Sequence, residues 1–243
     1  MEGFSSRSAS AEGSGGIVGV GMRQHLILVP TGLERGLVEP VVAGARGGAI
    51  RVELCGFGPV VAAARTARLI AEHRPARVLL VGIAGRLTDR LAIGGAYAFE
   101  RVACHGVGAG SGAAFLPAAA IGWKQWPGDA ADPAQEIGDS LPCTSGPLPP
   151  AAVAARAGLL LSACAAAAGD DDVRSRLRLH PGAAAEDMEG FAVAAACRLG
   201  GVPLDIVRGI SNTAGDRDPS GWKIDAACRA AGELAAALLG EPA

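Results

Sequence analysis

The stretch AAEDMEGFAVAAACRLGGVPLDIVRGISNTAGDRDPSGW, residues Ala184–Trp222, contains three elements whose order determines the fold. It begins with a cluster of carboxylates and continues through a helix of small residues, about Gly190–Leu199. It then forms a strand, Leu204–Ile210, that leads into the polar pair Ser211-Asn212. Units of this type place polar groups at strand ends, where open α/β sheets hold their ligands. The stretch therefore predicts an active site within an α/β fold.

Strands and helices alternate along the rest of the chain. The predicted strands are Gln24–Pro30, Ala49–Cys55, Arg77–Val81, Ala96–Ala103, Gly158–Cys164, Ala183–Asp187 and Leu204–Ile210. The predicted helices are Leu33–Val42, a segment after Pro59 with Val60, Ala64, Ala67 and Ala71 on one face, Asp170–Leu179, Gly190–Leu199 and Trp222–Leu239. This alternation predicts an α/β fold, in which residues 23–243 form a single domain with a mixed, mostly parallel central sheet flanked by helices.

Three stretches depart from the alternation. Residues 1–22 are rich in Ser and Gly, which predicts a disordered N-terminal extension. Gly82–Gly85 follows the third strand and is predicted to form a loop that a ligand can approach closely. Cys104–Pro150 is rich in Gly and Pro, and its two tryptophans, Trp123 and Trp126, predict a packed, ordered excursion from the sheet.

Composition argues against several classes of partner and cofactor. A formal net charge of −2 over 243 residues provides no basic surface for nucleic acid. No apolar run reaches the roughly 18 to 20 residues that a membrane-spanning helix needs. The N-terminal stretch lacks the apolar core of a secretion signal, so we expect a cytoplasmic protein. Six scattered cysteines predict free thiols rather than a metal site, and the glycine-rich stretches match neither a P-loop nor a dinucleotide fingerprint, so no cofactor is expected.

Three motifs resemble a known superfamily. The runs VGIAG (residues 81–85), AEDMEG (185–190) and VRGISN (207–212) resemble the single-domain α/β branch of the nucleoside phosphorylases and nucleosidases. The resemblance covers the chain from about Gln24 to Leu239 and is weakest over Cys104–Pro150. It implies a purine nucleoside as the small-molecule substrate and a homodimer or higher homo-oligomer.

Within this superfamily, the chain is most similar to the futalosine hydrolases. The run GDRDPSGW (residues 215–222) is similar to the tail of those enzymes, and Asn212 stands where adenine-specific nucleosidases carry Asp. The resemblance implies hydrolysis of the N-glycosidic bond of futalosine, with release of hypoxanthine in menaquinone biosynthesis. Three alternatives remain: a methylthioadenosine/adenosylhomocysteine nucleosidase, a purine nucleoside phosphorylase, and a nucleoside-binding protein without catalysis.

Cleavage of a purine N-glycosidic bond makes two electrostatic demands. The sugar develops positive charge, and the resemblance assigns Glu189 to the ribose hydroxyls, with Met188 packed under the sugar. The purine develops negative charge, and Asn212 can stabilise it because an amide both donates and accepts, as a 6-oxopurine requires. The alternatives are that Glu189 only stabilises a helix N-terminus and that Asn212 is an ordinary turn residue.

The reaction also needs a nucleophile. Glu34 lies near the position where nucleosidases keep a water-binding glutamate, although a surface acid on a helix is an equal alternative. Leu80 occupies the position of a phosphate-binding arginine of the hexameric phosphorylases, which favours water as the acceptor, whereas Arg86 keeps phosphorolysis open. The remaining predicted substrate-binding residues are Ile83, Ala84, Gly85, Glu186, Arg208 and Ser211, with Arg86 and Arg217 as candidates for the carboxylate of futalosine.

Overall fold

The structure is a computed structural model that describes residues 24–45, 49–129, 132–143 and 149–240, without the side chains of residues 151 and 152. The predicted disordered extension, residues 1–22, lies outside these ranges. The strands are β1 (Gln24–Val29), β2 (Ala49–Leu54), β3 (Arg77–Arg86), β4 (Ala96–His105), β5 (Gly108–Ala109), β6 (Leu116–Pro117), β7 (Ser140–Pro142), β8 (Arg156–Ala163), β9 (Ala183–Asp187) and β10 (Leu204–Thr213). The α-helices are α1 (Gly32–Val42), α2 (Pro59–His73), α3 (Pro150–Val153), α4 (Asp170–Leu179), α5 (Gly190–Gly200) and α6 (Ile224–Leu239).

Eight of the described strands form one mixed sheet in the order β10-β4-β8-β9-β3-β1-β2, with β7 paired to β4. Because β10 also pairs with β3, the strands β3, β10, β4, β8 and β9 close into a ring from which β1 and β2 extend. Strands β1, β2, β3 and β10 are parallel to one another, as are β4, β8 and β9. The two groups meet antiparallel at the β10–β4 and β3–β9 pairs. The predicted mixed, mostly parallel sheet is therefore confirmed.

Strand β3 has three partners, and the gap between two of them makes room for a cavity. Along one edge of β3, β1 pairs with Arg77–Leu80, whereas β9 pairs only with Gly85 and Arg86. Along the other edge, β10 pairs with β3 from Val78 onward and keeps it extended to its end. The prediction of a loop at Gly82–Gly85 is therefore wrong, because β10 continues beside these residues and holds them in a strand.

Strand β10 also continues past its predicted end. It runs through Thr213, and its register against β3 shifts between Ile210 and Asn212. The pair Ser211-Asn212 is thus an irregularity within a strand rather than the predicted turn. Such bulges re-aim side chains beside active sites. Here Ser211 is buried and Asn212 is half-buried.

Two pairs of helices cover the sheet. Successive residues of a strand point to opposite faces, so Leu79 of β3 packs in one core cluster and Leu80 in the other. Helices α1 and α6 cover the face of Leu79, and α2 and α5 cover the face of Leu80. The inward residues predicted for α6 (Cys228, Ala231, Ala235 and Leu238) are buried, and Ile224 is half-buried.

Helix α2 turns a different face to the core than predicted. The residues Val60, Ala64, Ala67 and Ala71 are exposed, and the buried residues are Ala62, Thr66, Leu69 and Ile70. Alanine buries little apolar area, so the larger side chains of Leu69 and Ile70 decide which face packs. Val60 is 81% exposed, and Val61, Phe57 and Leu33 are also exposed apolar side chains.

The segment after β4 contains the hairpin of β5 and β6, short 3-10 helices and β7. The backbone of Trp126 pairs with that of Ile137. However, Trp123 is 70% exposed and Trp126 is 37% exposed, so the expected packing by the two tryptophans is wrong. Ile137, Leu141 and Cys143 of this segment enter the core. No helix among the described residues is long and apolar enough to cross a membrane.

Candidate active site

A cavity of about 650 Å³ opens where β1 and β9 diverge along the edge of β3. Its walls come from the ends of β1, β3, β9 and β10 and from the loop of residues 164–169, which joins β8 to α4. The predicted site residues that line it are Glu34, Ile83, Ala84, Gly85, Glu186, Met188, Glu189, Ser211 and Asn212. Residues from four separated parts of the chain therefore meet in one place, whereas the predicted residues Arg208 and Arg86 do not reach the lining.

Arg208 lies behind the cavity wall and is fully buried, with 0% of its surface exposed. Its Nε and Nη2 donate to Asp187 Oδ2 at 3.0 and 2.6 Å, and Nη2 is 3.4 Å from Glu189 Oε2. Burial lowers the pKa of the guanidinium, but Asp187, Glu189 and Glu34 more than offset this, so the net pKa is raised. Because a buried charge requires such partners, the geometry of Arg208 is that of a positioning residue for two carboxylates.

Asp187 is the carboxylate most tightly held by Arg208, although the sequence analysis assigned it no role. It also accepts hydrogen bonds from Ser162 Oγ and, at 2.9 Å, from the Gly190 amide. Its neighbour Glu186 contacts different partners, Arg176 and the Ala167 amide. Alternation along a strand is the sequence signal that could have separated the two acids, since adjacent residues point to opposite faces.

Glu34 is buried rather than on the surface. Its Oε1 accepts from the Ile83 amide at 3.0 Å and its Oε2 accepts from Thr31 Oγ1 at 2.6 Å. A Cβ atom on Gly82 would lie 2.4 Å from Arg208 Nη1 and 2.6 Å from Glu34 Oε1. Residue 82 must therefore be glycine, because any side chain would collide with Arg208 and Glu34. The sum of the two distances shows that Arg208 Nη1 and Glu34 Oε1 are at most about 5 Å apart.

Glu189 precedes α5, and its side chain makes no capping bond to that helix. Instead, its Oε1 accepts from the distant Gly58 amide at 2.8 Å. Burial raises the pKa of this carboxyl to about 7, with Asp187 and Glu34 adding to the rise and Arg208 opposing it. Glu189 therefore changes its charge near neutral pH while it faces the cavity. In the described residues, no cluster of carboxylates, histidines or cysteines is arranged to hold a metal ion.

Asn212 is oriented by its neighbours in β10. Its Oδ1 accepts from Ser211 Oγ at 2.7 Å, and its Nδ2 donates to the Thr213 carbonyl at 2.9 Å. An amide nitrogen carries two protons and an amide oxygen has two lone pairs, so one donor and one acceptor position remain for a ligand. Ser211 fixes the amide and lies within 3.4 Å of the Ala84 carbonyl, which ties the pair to β3.

The cavity rim carries a cation and an aromatic ring. Arg217 and Trp222 both line the cavity, with the guanidinium carbon 5.6 Å from the centre of the ring. This arrangement is a cation–π contact. Arg86, the other predicted partner for a substrate carboxylate, is engaged by Thr213, Leu91 and Asp89 and does not reach the lining.

Sequence reasoning missed several lining residues. They are Pro30, Thr31, Leu33, Phe57, Cys164, the alanines 165–168, Asp187, Gly215, Asp216 and Trp222. The alanines carry no polar side chain, so no motif could have marked them. All six cysteines are free, as predicted, but Cys164 is exposed in the cavity rather than buried.

Comparison with known proteins gives a consistent relationship. The sequence model of the family "Phosphorylase superfamily" matches residues 30–241. The chain is 30% identical over 188 residues to a futalosine hydrolase of Streptomyces coelicolor, covering 72% of each chain. It is 29% identical over 210 residues to a 5'-methylthioadenosine/S-adenosylhomocysteine nucleosidase of Shewanella sp., covering 80% of this chain and 83% of the relative.

The fold has a close counterpart among solved structures. The 5'-methylthioadenosine/S-adenosylhomocysteine nucleosidase of Neisseria meningitidis, in complex with methylthio-immucillin-A, superimposes with a TM-score of 0.72 at 20% identity. The match covers 90% of this chain and 99% of that one. The family match extends over almost all of the described sequence and includes the three motifs that surround the cavity. The chain belongs to the Phosphorylase superfamily.

Proposed function

We propose that the protein is a nucleosidase that hydrolyses the N-glycosidic bond of futalosine and releases hypoxanthine. The observation that carries this proposal is that Glu34, Glu189 and Asn212 line one cavity, with Arg208 directly behind the acids. The named relatives are nucleosidases, which supports the reaction class. The choice of futalosine rests on Asn212 and on the rim of the cavity.

At the sugar end, Glu189 accepts hydrogen bonds from the ribose hydroxyls when it is ionised. Its negative charge then opposes the positive charge that the sugar develops as the bond breaks. The Gly58 amide and Arg208 hold the carboxylate in a fixed position before substrate arrives. Such preorganised charge acts in the transition state without further rearrangement.

Glu34 is the base that activates water in this proposal. Its carboxylate is fixed by the Ile83 amide and Thr31, and it lies within about 5 Å of Arg208 Nη1. That nitrogen is buried without a hydrogen-bond partner among the described residues. Arg208 lies behind the cavity wall, so it acts on Glu34 through its charge. A water on the cavity side of Glu34 would donate a proton to this carboxylate, which leaves a lone pair for the sugar.

At the base end, Asn212 favours a 6-oxopurine over adenine when its free N–H donates to O6, because adenine carries an amino group at that position. The free N–H of Asn212 donates to an acceptor of the purine, such as O6 or N7. This hydrogen bond strengthens as negative charge develops on the acceptor. Ser211 holds the amide in the orientation that presents this N–H. Asn212 cannot transfer a proton at ordinary pH, so it stabilises the leaving base by hydrogen bonding alone.

The charge of the cavity favours water over phosphate as the acceptor. Its described lining contains the carboxylates of Glu34, Glu186, Asp187, Glu189 and Asp216 but only one cation, Arg217. Glu186 and Asp187 are neutralised by Arg176 and Arg208 behind the wall. The described lining therefore offers phosphate a single cation, Arg217, beside the carboxylates of Glu34 and Asp216. Leu80, at the position of the arginine of the phosphorylases, is an entirely buried core residue.

Arg217 is the better of the two candidates for the carboxylate of futalosine. It lines the cavity at its open rim and contacts Trp222, whereas the guanidinium of Arg86 is bound within the protein. A single negative charge at this rim would lie beside Arg217 and away from the acids around Arg208.

Exposed apolar side chains beside the cavity support a homo-oligomer. Leu33 and Phe57 line the cavity but are more than half exposed, and Val60 and Val61 continue the patch along α2. Contiguous exposed apolar surface of this kind typically marks an interaction site. Light scattering on the purified protein measures the oligomeric state, and a monomer at all concentrations would contradict the proposal.

Turnover of matched substrates tests the proposed reaction. Purified protein is incubated with futalosine, inosine and methylthioadenosine, each with and without phosphate, with Glu189→Gln as the inactive control. We expect hypoxanthine from futalosine at a rate that does not depend on phosphate. Release from inosine only when phosphate is present would instead identify a phosphorylase, and purine binding without turnover would identify a binding protein.

An adenine-specific nucleosidase is the second candidate. The Shewanella relative covers more of this chain than the futalosine hydrolase does, at nearly the same identity. Faster release of adenine from methylthioadenosine than of hypoxanthine from futalosine would favour this candidate over the first.

A further inference from the structure

The loop of residues 164–169 forms one wall of the cavity, but its alanine side chains cannot stabilise its conformation by hydrogen bonds. It contains four consecutive alanines, Ala165–Ala168, which line the cavity and carry no polar side chain. Alanine is the strongest helix former, and α4 begins directly after Gly169. Interactions from outside the loop must therefore keep the alanines in their irregular conformation.

Those interactions come from one buried ion pair. Arg176 of α4 donates through Nη1 to Glu186 of β9, and both side chains are more than nine-tenths buried. Arg176 Nη2 also donates to the Ala165 carbonyl at 2.8 Å, and Glu186 Oε1 accepts from the Ala167 amide at 2.8 Å. The pair thus binds the loop at two backbone groups that are two residues apart. In addition, Asp172 accepts a hydrogen bond from the next amide, that of Ala168, at 2.9 Å.

This loop lies at the purine end of the cavity. The backbone of Gly169 is so close to Gly215 that a Cβ on Gly215 would lie 3.0 Å from the Gly169 carbonyl carbon. Gly215 follows Asn212 by three residues, and both line the cavity. Its φ of +87° is in the left-handed region, which permits the close approach.

We propose that Arg176 and Glu186 are positioning residues that clamp the alanine loop against the end of β10 and the following Gly215, and thereby shape the pocket for the purine base. Glu186 thus acts through the loop rather than by contact with the substrate. The clamp itself stands on the contacts above, and only its effect on base binding rests on the proposed function.

The test separates the clamp from its effect on binding. The double variant Arg176→Met/Glu186→Gln removes both charges together, so no unpaired charge is left buried, and the new glutamine can still accept from Ala167. Arg176→Lys keeps the ion pair with Glu186. Lysine lacks the second, rigidly placed nitrogen of the guanidinium, so it cannot also donate to the Ala165 carbonyl. Arg174→Gln is the matched control, because Arg174 is an exposed residue of the same helix, paired only with Asp171.

Amide hydrogen exchange of residues 164–169 reports the clamp directly. We expect exchange in the double variant to be about tenfold faster or more at these amides, with an intermediate increase in Arg176→Lys and none in Arg174→Gln. Unchanged exchange in both Arg176 variants would overturn the clamp, whether or not the protein is a nucleosidase.

Calorimetric titration with hypoxanthine then reports the pocket. We expect the loosened loop to weaken hypoxanthine binding and to raise KM about tenfold or more, with a smaller change in kcat. Faster exchange with unchanged hypoxanthine affinity would overturn the role in base binding. Failure of the wild-type protein to release any purine would count against the proposed function alone, since the exchange measurement still decides the clamp.

Discussion

The arginines at the two ends of the cavity, Arg208 and Arg217, have opposite environments. At the end proposed for the sugar, Arg208 is fully buried and bound to Asp187 and Glu189. At the rim, Arg217 is exposed, and its described contact is the face of Trp222. The buried arginine is held by the protein before any substrate arrives, whereas the exposed one is available to a substituent of the substrate. In the proposed function, the first arrangement serves the cleavage of the glycosidic bond and the second serves the choice of substrate.

The largest effect should come from breaking the buried end. Arg208→Met leaves Asp187 and Glu189 buried without their cation, which we expect to cost about 3–5 kcal/mol in the free energy of unfolding and to abolish measurable turnover. Arg217→Met is the matched control, because its charge is exposed and its loss should leave stability nearly unchanged. Denaturant unfolding of both variants measures the difference. Equal stability of the two would remove the contrast between the ends.

The titration of Glu189 should make the stability and the activity of the protein depend on pH. The Glu189 carboxyl has a pKa raised to about 7, above the ordinary value of 4.5, so the folded protein binds this proton more tightly than the unfolded chain does. Stability from this group is therefore complete below about pH 4.5 and is lost as pH rises through about 7, by an amount on the order of 3 kcal/mol. Activity should change in the opposite direction, because only the ionised carboxylate accepts from both ribose hydroxyls.

Two measurements check this opposition. The profile of kcat/KM should rise with pH to a plateau above about pH 7, and Glu189→Gln should lower kcat/KM about 10²- to 10³-fold. Between about pH 5 and pH 8, the unfolding free energy of the wild type should fall relative to that of Glu189→Gln. Parallel stability curves for the two proteins would show that this carboxyl does not titrate in that range.

Substitution of Asn212 should give an intermediate effect. Asn212→Asp replaces the N–H donor by a carboxylate oxygen, so kcat/KM on 6-oxopurine nucleosides should fall about ten- to hundredfold. Activity on adenine nucleosides should fall less or rise, because a carboxyl group can serve the amino group of adenine. The ratio of hypoxanthine to adenine release is the measurement. An unaltered ratio would exclude Asn212 from base recognition.

The smallest effect should come from the rim. Arg217→Gln should raise KM for a nucleoside that carries a carboxylate about two- to fivefold, as is typical of an exposed ion pair. KM for inosine, which lacks that charge, should not change. Added salt should reduce the difference between the two substrates in the wild type, because an exposed pair is screened. An equal rise of KM for both substrates would mean that Arg217 shapes the cavity rather than reads the charge.

Local sequence patterns were sufficient for most of the fold. Helix α5 and strands β1 and β9 lie within one residue of their predicted bounds, because apolar runs and helix ends are marked by neighbouring residues. The two main errors have different causes. The strand character of Gly82–Gly85 depends on pairing with β10, more than a hundred residues away, and this partner is not visible in the local sequence. The buried face of α2 follows from the size of Leu69 and Ile70, which the local sequence does contain.

The site follows the same division. The motifs by themselves determined the superfamily, the carboxylate cluster and the amide at residue 212, because each lies within a few consecutive residues. Only the tertiary structure decided that Asp187 rather than Glu186 meets Arg208, that Arg217 rather than Arg86 reaches the cavity, and that Arg176 holds the alanine loop. Which of two neighbouring acids, or of two similar arginines, faces a cavity depends on strand alternation and on partners distant in the chain. Burial also raises the pKa of Glu189, and burial is a property of the packed molecule.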